Sequence, residues 1–168
     1  MGDVALEIVV ILVLILFNGV LAMAEIALVS SRKVRLQQRA NKGDENARAA
    51  LKLAQNPSNF LSTVQVGITL VGILAGAFGG ATVAQPLADL ISANATLRPY
   101  SQSIALGIVV FTITYLSLIF GELVPKRLAL SNPEKFAAGM AKPMITFSRL
   151  VLPLVRLLDI STELILKV

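Results

Sequence analysis

The segment IFGELVPKRLAL, residues 119–130, places a carboxylate, a proline and two cations at the end of a long apolar run. Glu122 is an ionisable group in a stretch otherwise suited to lipid, where such groups are costly and face protein or water. Pro125 has no N–H, so the Gly121 carbonyl loses the donor that an α-helix would bring from four residues on. The spacing predicts a helix broken at membrane depth, with an unpaired backbone oxygen beside a carboxylate and no side chain at Gly121 to shield either. Oxygens exposed on a broken membrane helix are how transporters build cation sites. An all-oxygen ligand set favours hard ions such as magnesium or calcium over zinc or copper. The alternative for the same residues is an ion pair between Glu122 and Lys126 at i+4.

Other apolar runs carry further oxygens. Asn18 and Glu25 stand seven residues apart, two helical turns on one face, with Ala22 between them. Ser62, Gln65, Thr69, Gly72 and Gly76 form a stripe, polar at one end and small at the other. Gly72-xxx-Gly76 and Gly76-xxx-Gly80 permit close helix contact. Packing alone is one reading of these glycines; the other adds Thr69 and the carbonyls near Gly67 and Gly72 to the ligands. Thr114 and Ser117 add hydroxyls, although hydroxyls in membrane helices often bond their own backbone. The candidate cation-ligating set is therefore Glu122, Gly121, Asn18, Thr69, Gly72 and Glu25. His, Cys and Trp are absent, which removes disulfides, Cys/His zinc sites and thiol or imidazole catalysis. No Walker loop or Ser/His/Asp set occurs either, so no enzymatic activity, catalytic residue or bound cofactor is expected. Asn94-Ala95-Thr96 matches a glycosylation sequon, which chance explains.

The elements that must position these residues are membrane spans. Of 168 residues, 55% are hydrophobic and only 15% charged, more apolar area than a soluble domain could cover. Three runs are long enough to cross a bilayer: residues 4–29, 60–84 and 104–124, the last continuing to 130. The first ends near Ala22-Met23-Ala24, which mimics a cleavage site, but Asp3 and Glu7 stand where a signal peptide needs cations. Arg32, Lys33, Arg35, Arg39, Lys42, Arg48 and Lys52 follow the first span, and Lys126, Arg127, Lys135 and Lys142 follow the third. Arg98 alone lies between the second and third. This asymmetry predicts an external N-terminus and a cytoplasmic C-terminus. The net charge of +5 suits anionic lipid headgroups rather than nucleic acid, since few aromatics lie among the cations. Residues 32–56 read as an interfacial helical hairpin turning at Lys42-Gly43-Asp44, with Asp44 as the cap of its second helix. Residues 133–168 repeat apolar residues every three or four positions, interrupted by Pro143 and Pro153. They predict one or two juxtamembrane amphipathic helices, with a re-entrant segment as the alternative. The expected fold is an all-α membrane protein, three transmembrane helices plus juxtamembrane amphipathic helices, forming one transmembrane domain over 1–168. The chain stops at ELILKV, and a further soluble domain is expected beyond it.

GELVPKRLAL after the third span, AEIALVSSRKVRLQ after the first and NPSNFLSTVQVGITLVGILAGAF in the second together resemble the transmembrane domain of the CNNM/CorC family of magnesium transport proteins. The resemblance covers most of residues 15–135. It implies a homodimer with a juxtamembrane helical belt and cytoplasmic CBS domains after the C-terminus, which bind ATP in many members. It also implies Mg²⁺ as the transported ion and Na⁺ as a possible coupling ion, in the cell membrane. By position, the family's acidic magnesium ligand falls on Glu122, its polar first-helix residue near Asn18 or Ala22, and its second-helix contribution near Gly72. Many relatives carry serines near Ala22 and Ala24 and an asparagine near Gly72, which this chain lacks. Fewer side-chain ligands imply more backbone carbonyls, more retained water or a different substrate. Some relatives are linked to polyamine export and others are named haemolysin-like. A Mg²⁺ exporter and an ion-sensing membrane regulator both stay open. A polyamine exporter is the third reading, and it would want more carboxylates or aromatics.

Overall fold

In a computed structural model, which describes residues 2–166, helices follow one another in the order α1 (Gly2–Ser30), α2 (Lys33–Asn41), α3 (Glu45–Gln55) and α4 (Pro57–Phe78). A π turn, Gly79–Val83, leads into α5 (Ala84–Ser92). A 3₁₀ turn at Arg98–Tyr100 opens α6 (Ser101–Leu118), and a second π turn, Ile119–Leu123, joins it to α7 (Val124–Ser131). The last helix is α8 (Pro133–Leu166), and no strand occurs among the described residues. Three stretches are long and apolar enough to cross a membrane: Val4–Ser30, Pro57–Ser92 and Arg98–Ser131. Their Val, Ile and Thr content would weaken a helix in water. In hydrocarbon every backbone group must find its partner within the segment, which makes the helix the local solution. The chain is an all-α, multi-pass membrane protein.

The described residues form two compact units. One takes residues up to Val20 together with Thr69–Val124; the other takes Leu21–Ile68 with the residues from Pro125 onward. In the first unit α6 packs against α5 and both π turns. Gly79 eases that approach, whereas Gly80 leaves room for an ordinary contact. A Cβ at Gly79 would run into Ile113 Cδ1, and one at Gly80 would lie 3.5 Å from Leu106 Cδ1.

The break expected at Pro125 does not occur. Pro125 sits in the first turn of α7, where a missing N–H is least costly. The preceding turn widens instead: the Val124 N–H donates to the Ile119 carbonyl, five residues back. The other π turn behaves alike, with Ala84 N–H on the Gly79 carbonyl and Pro86 following. A π turn is one extra residue in the helix, so the ladder shifts register rather than ending.

In the second unit α2, α3 and α8 pack on one another. Leu36, Ala40, Ala47 and Ala50 of the hairpin and Ala137, Ala138 and Ala141 of α8 are buried. Small side chains on facing helices let the backbones approach closely. The hairpin turns at Gly43, whose φ of 90° is a conformation that suits glycine. Asp44 Oδ1 then caps α3 by accepting the N–H groups of Asn46 and Ala47, each at 3.0 Å. Its Oδ2 takes two bonds from Arg39, at 3.0 and 2.7 Å. The Ala47 N–H bond, then the Arg39 guanidinium, hold the Asp44 carboxyl below the usual carboxylate range. Of the one or two helices expected over 133–168, α8 is one, continuous through Pro143 and Pro153. Each proline withdraws a single donor, from the carbonyls of Gly139 and Arg149, and the turns on either side keep theirs.

Candidate functional site

The unit that holds Asn18 and Glu122 contains a cleft of about 250 Å³. Asn18 of α1, Gly72 and Gly76 of α4, Thr114 and Ser117 of α6, and Glu122 of the second π turn form its polar and open walls. Val110, Ile113 and Leu118 complete it. Thr114 and Leu118 stand four residues apart on one face of α6, and Glu122 follows in the π turn. Glu122 is half-buried and is the carboxylate of the lining.

Asn18 corrects the reading of Gly121. Its Nδ2 donates to the Gly121 carbonyl at 3.2 Å, so the oxygen that Pro125 deprives of a helical donor is not left exposed as a ligand. A carbonyl can only accept, which fixes the amide with its nitrogen toward Gly121. The Asn18 Oδ1 is thereby left buried with no hydrogen-bond partner among the described residues. Leaving such an atom unsatisfied costs about 1–3 kcal/mol unless a donor or a cation supplies what is missing. Gly121 eases the contact, because a Cβ there would stand 3.2 Å from Asn18 Nδ2 and 3.3 Å from the Ile15 carbonyl oxygen, and both would have to give by a few tenths of an ångström.

The other walls are open for a different reason. Nothing lies within 4 Å of where a Cβ would stand at Gly72 or Gly76, so both glycines contribute empty space rather than tight packing. Thr63 and Thr82 donate their hydroxyls to the carbonyls of Asn59 and Phe78, four residues back. Thr114 and Ser117 make no such bond among the described residues, which leaves their hydroxyls available to the cleft. No cluster of three or more acidic side chains suited to a metal ion occurs among the described residues. An ion in this cleft would meet one carboxylate, neutral oxygens and water.

The structure thus brings together Glu122, Gly121, Asn18 and Gly72 of the expected set. Thr69 is exposed and outside the lining. Glu25 is half-buried and also outside it; seven residues along α1 carry it roughly 10 Å from Asn18. Gly67 lies beneath Phe147, whose Cζ would be 2.9 Å from an added Cβ. Thr114, Ser117 and Gly76 line the cleft although the expected ligand set omitted them. Their signal was the step of three or four residues toward Gly121 and Glu122 on one side and from Gly72 on the other.

A polar cleft walled by three apolar spans defines a multi-pass membrane domain of transporter-like build. The chain belongs to the family of the cyclin M transmembrane N-terminal domain, whose model matches residues 9–168. It is 52% identical over 166 residues to a UPF0053 protein of Synechocystis sp., covering 99% of this chain and 37% of that protein. It is 37% identical over 153 residues to a polyamine export protein of Haemophilus influenzae, covering 89% of this chain and 34% of that one. With a polyamine export protein of Escherichia coli it shares 31% identity over 138 residues, 82% of this chain and 31% of the relative. The chain spans about a third of the length of these curated relatives.

Proposed function

We propose that this domain moves a divalent cation, Mg²⁺, across the membrane through the Glu122 cleft. The observation that carries the reading is the convergence of the Glu122 carboxylate with Asn18 and the unbonded hydroxyls of Thr114 and Ser117 in one cleft. A carboxylate held among apolar spans is expensive, and a cation offsets that cost. Neutral oxygens around a single carboxylate suit a hard ion that keeps part of its water. At roughly 30 Å³ per water, a shell of six needs about 180 Å³, and the cleft offers about 250 Å³. In the same reading the working unit is a homodimer in the cell membrane, with the N-terminus outside and the cation-rich ends cytoplasmic. Transport is outward, with Na⁺ as coupling ion, and cytoplasmic CBS domains of the longer protein regulate it. An ion-sensing regulator would need the same site without flux.

The names of the polyamine-exporting relatives favour a second reading, in which the cleft takes an ammonium group of a polyamine. One carboxylate matches one ammonium and leaves the others uncompensated, so Mg²⁺ stands first. Melting temperature and liposome flux of wild type and Glu122→Gln, titrated with Mg²⁺ and separately with spermidine, test both readings. The expected result is a Mg²⁺-dependent rise in melting temperature and a Mg²⁺ flux that the variant loses. Equal Mg²⁺ shifts in both proteins would overturn the site, and spermidine flux without Mg²⁺ flux would replace the substrate. Binding without flux of either would leave the regulator.

A further inference from the structure

Cations collect where two spans end. α1 stops at Ser30 and α7 at Ser131, and three crossings put both ends on one side of the membrane. The residues that follow are tied together. The Arg32 N–H donates to Glu134 Oε1 at 3.3 Å, and Arg35 Nη1 lies 3.8 Å from Glu134 Oε2. Arg39 Nη1 donates to the Glu134 carbonyl at 3.0 Å while its other nitrogens clamp Asp44. These bonds hold α2, the Lys42 turn and the first turn of α8 around a hollow of about 330 Å³. Arg35, Arg39, Lys42 and Lys135 line it, against the single carboxylate of Glu134. That carboxylate is 13% exposed and already engaged by Arg32 and Arg35. Lys42 and Lys135 are exposed, and their ammonium groups have no hydrogen-bond or ion-pair partner among the described residues.

We propose that this hollow binds the phosphate group of an anionic lipid in the leaflet that both helix ends face. The two uncommitted ammonium groups and Arg35 converge on a concave surface, and concentrated like charge calls for an anion. Chain connectivity sets the depth. Lys135 is four residues beyond the end of α7 and Arg35 five beyond the end of α1, which is where headgroups begin. Val34, which precedes Arg35 in the chain, is 70% exposed, and Leu130, at the end of α7, is 55% exposed. A soluble phosphate would satisfy the cations and leave those two side chains in water, whereas a lipid also covers them with acyl chain.

The test is thermal melting of the purified chain in a neutral-headgroup detergent, with phosphatidylglycerol, phosphatidylcholine or inorganic phosphate added. Phosphatidylglycerol is expected to raise the melting temperature saturably, and the other two to leave it unchanged. Lys42→Gln combined with Lys135→Gln is expected to melt like wild type without lipid and to bind phosphatidylglycerol at least about tenfold more weakly. Lys52→Gln, on α3 and outside the hollow, is expected to keep the wild-type response. An undiminished response in the double variant would overturn the site. A shift from inorganic phosphate or phosphatidylcholine equal to that from phosphatidylglycerol would overturn the anionic-lipid assignment. If the double glutamine variant melts lower by itself, Lys42→Arg with Lys135→Arg serves in its place. Retained binding in that charge-conserving pair supports the electrostatic site, and lost binding overturns it.

Discussion

The unit built from α1, α5, α6 and the π turns encloses two cavities of similar size, about 250 and 280 Å³, both bordered by Ile113. The smaller is the Glu122 cleft. The larger is lined by Ile8, Ile11 and Leu12 of α1, Val83 and Leu87 of the second span, and Val109 and Leu116 of α6, with Thr112 as its polar side chain. The same three spans furnish both, so neither size nor helix packing separates them. The difference lies in which face of α6 is turned inward: Thr114 and Ser117 toward one cavity, Val109 and Leu116 toward the other. In lipid an apolar cavity is chemically continuous with its surroundings and selects nothing, whereas a carboxylate beside the Thr114 and Ser117 hydroxyls selects charge.

The strongest way to break that comparison is to charge the apolar cavity. Val109→Asp places a carboxylate at a position that is 5% exposed, in a wall whose one polar side chain is Thr112. It is expected to destabilise the protein by about 2.5–3.5 kcal/mol, with or without Mg²⁺. Thermal melting checks this; a variant as stable as wild type, or one that acquires Mg²⁺ dependence, would show that the lining does not distinguish the two cavities.

A smaller effect separates two glycines of the second span. Gly79→Ala drives a methyl onto the Cδ1 end of Ile113, which must swing aside, and is expected to cost up to about 1 kcal/mol. Gly72→Ala enters open space and is expected to hold or raise the melting temperature, since alanine is the better helix former by up to ~1 kcal/mol. Gly72→Ala nonetheless narrows the cleft and should slow cation flux. Paired melting and flux measurements on the two variants sharpen the division between packing glycines and cleft glycines; equal behaviour would erase it.

The smallest expected effect belongs to the other unit. The Asp44 carboxyl titrates below its ordinary range because the Ala47 N–H and Arg39 favour its charged form. A depressed folded-state value contributes stability that is fully present above the ordinary carboxylate value and is lost as pH falls through the lowered one. Asp44→Asn is expected to remove that acid dependence from the melting curve without altering the Glu122-dependent response to Mg²⁺. If the acid limb of the curve is unchanged in the variant, another carboxylate controls it.

Much of this molecule is legible from residues alone. Apolar length identified three spans, glycine and aspartate identified the α2–α3 turn, and a carboxylate in an apolar run singled out Glu122. Hydrophobicity, φ preference and desolvation cost are local properties, so the chain itself carries them. The partners of those residues are not local. Nothing in the spacing of α1 indicates that Asn18 donates to Gly121, 103 positions away, or that Thr69 and Glu25 fall outside the cleft. The π turns compound this, because one extra residue rotates every later side chain by about 100° relative to a regular helix. The sequence by itself determined that a charged group must be accommodated among membrane helices near Pro125. Only the tertiary structure decided that Asn18 takes the Gly121 carbonyl and that Thr114 and Ser117 share Glu122's cavity, because those outcomes depend on how separate helices meet.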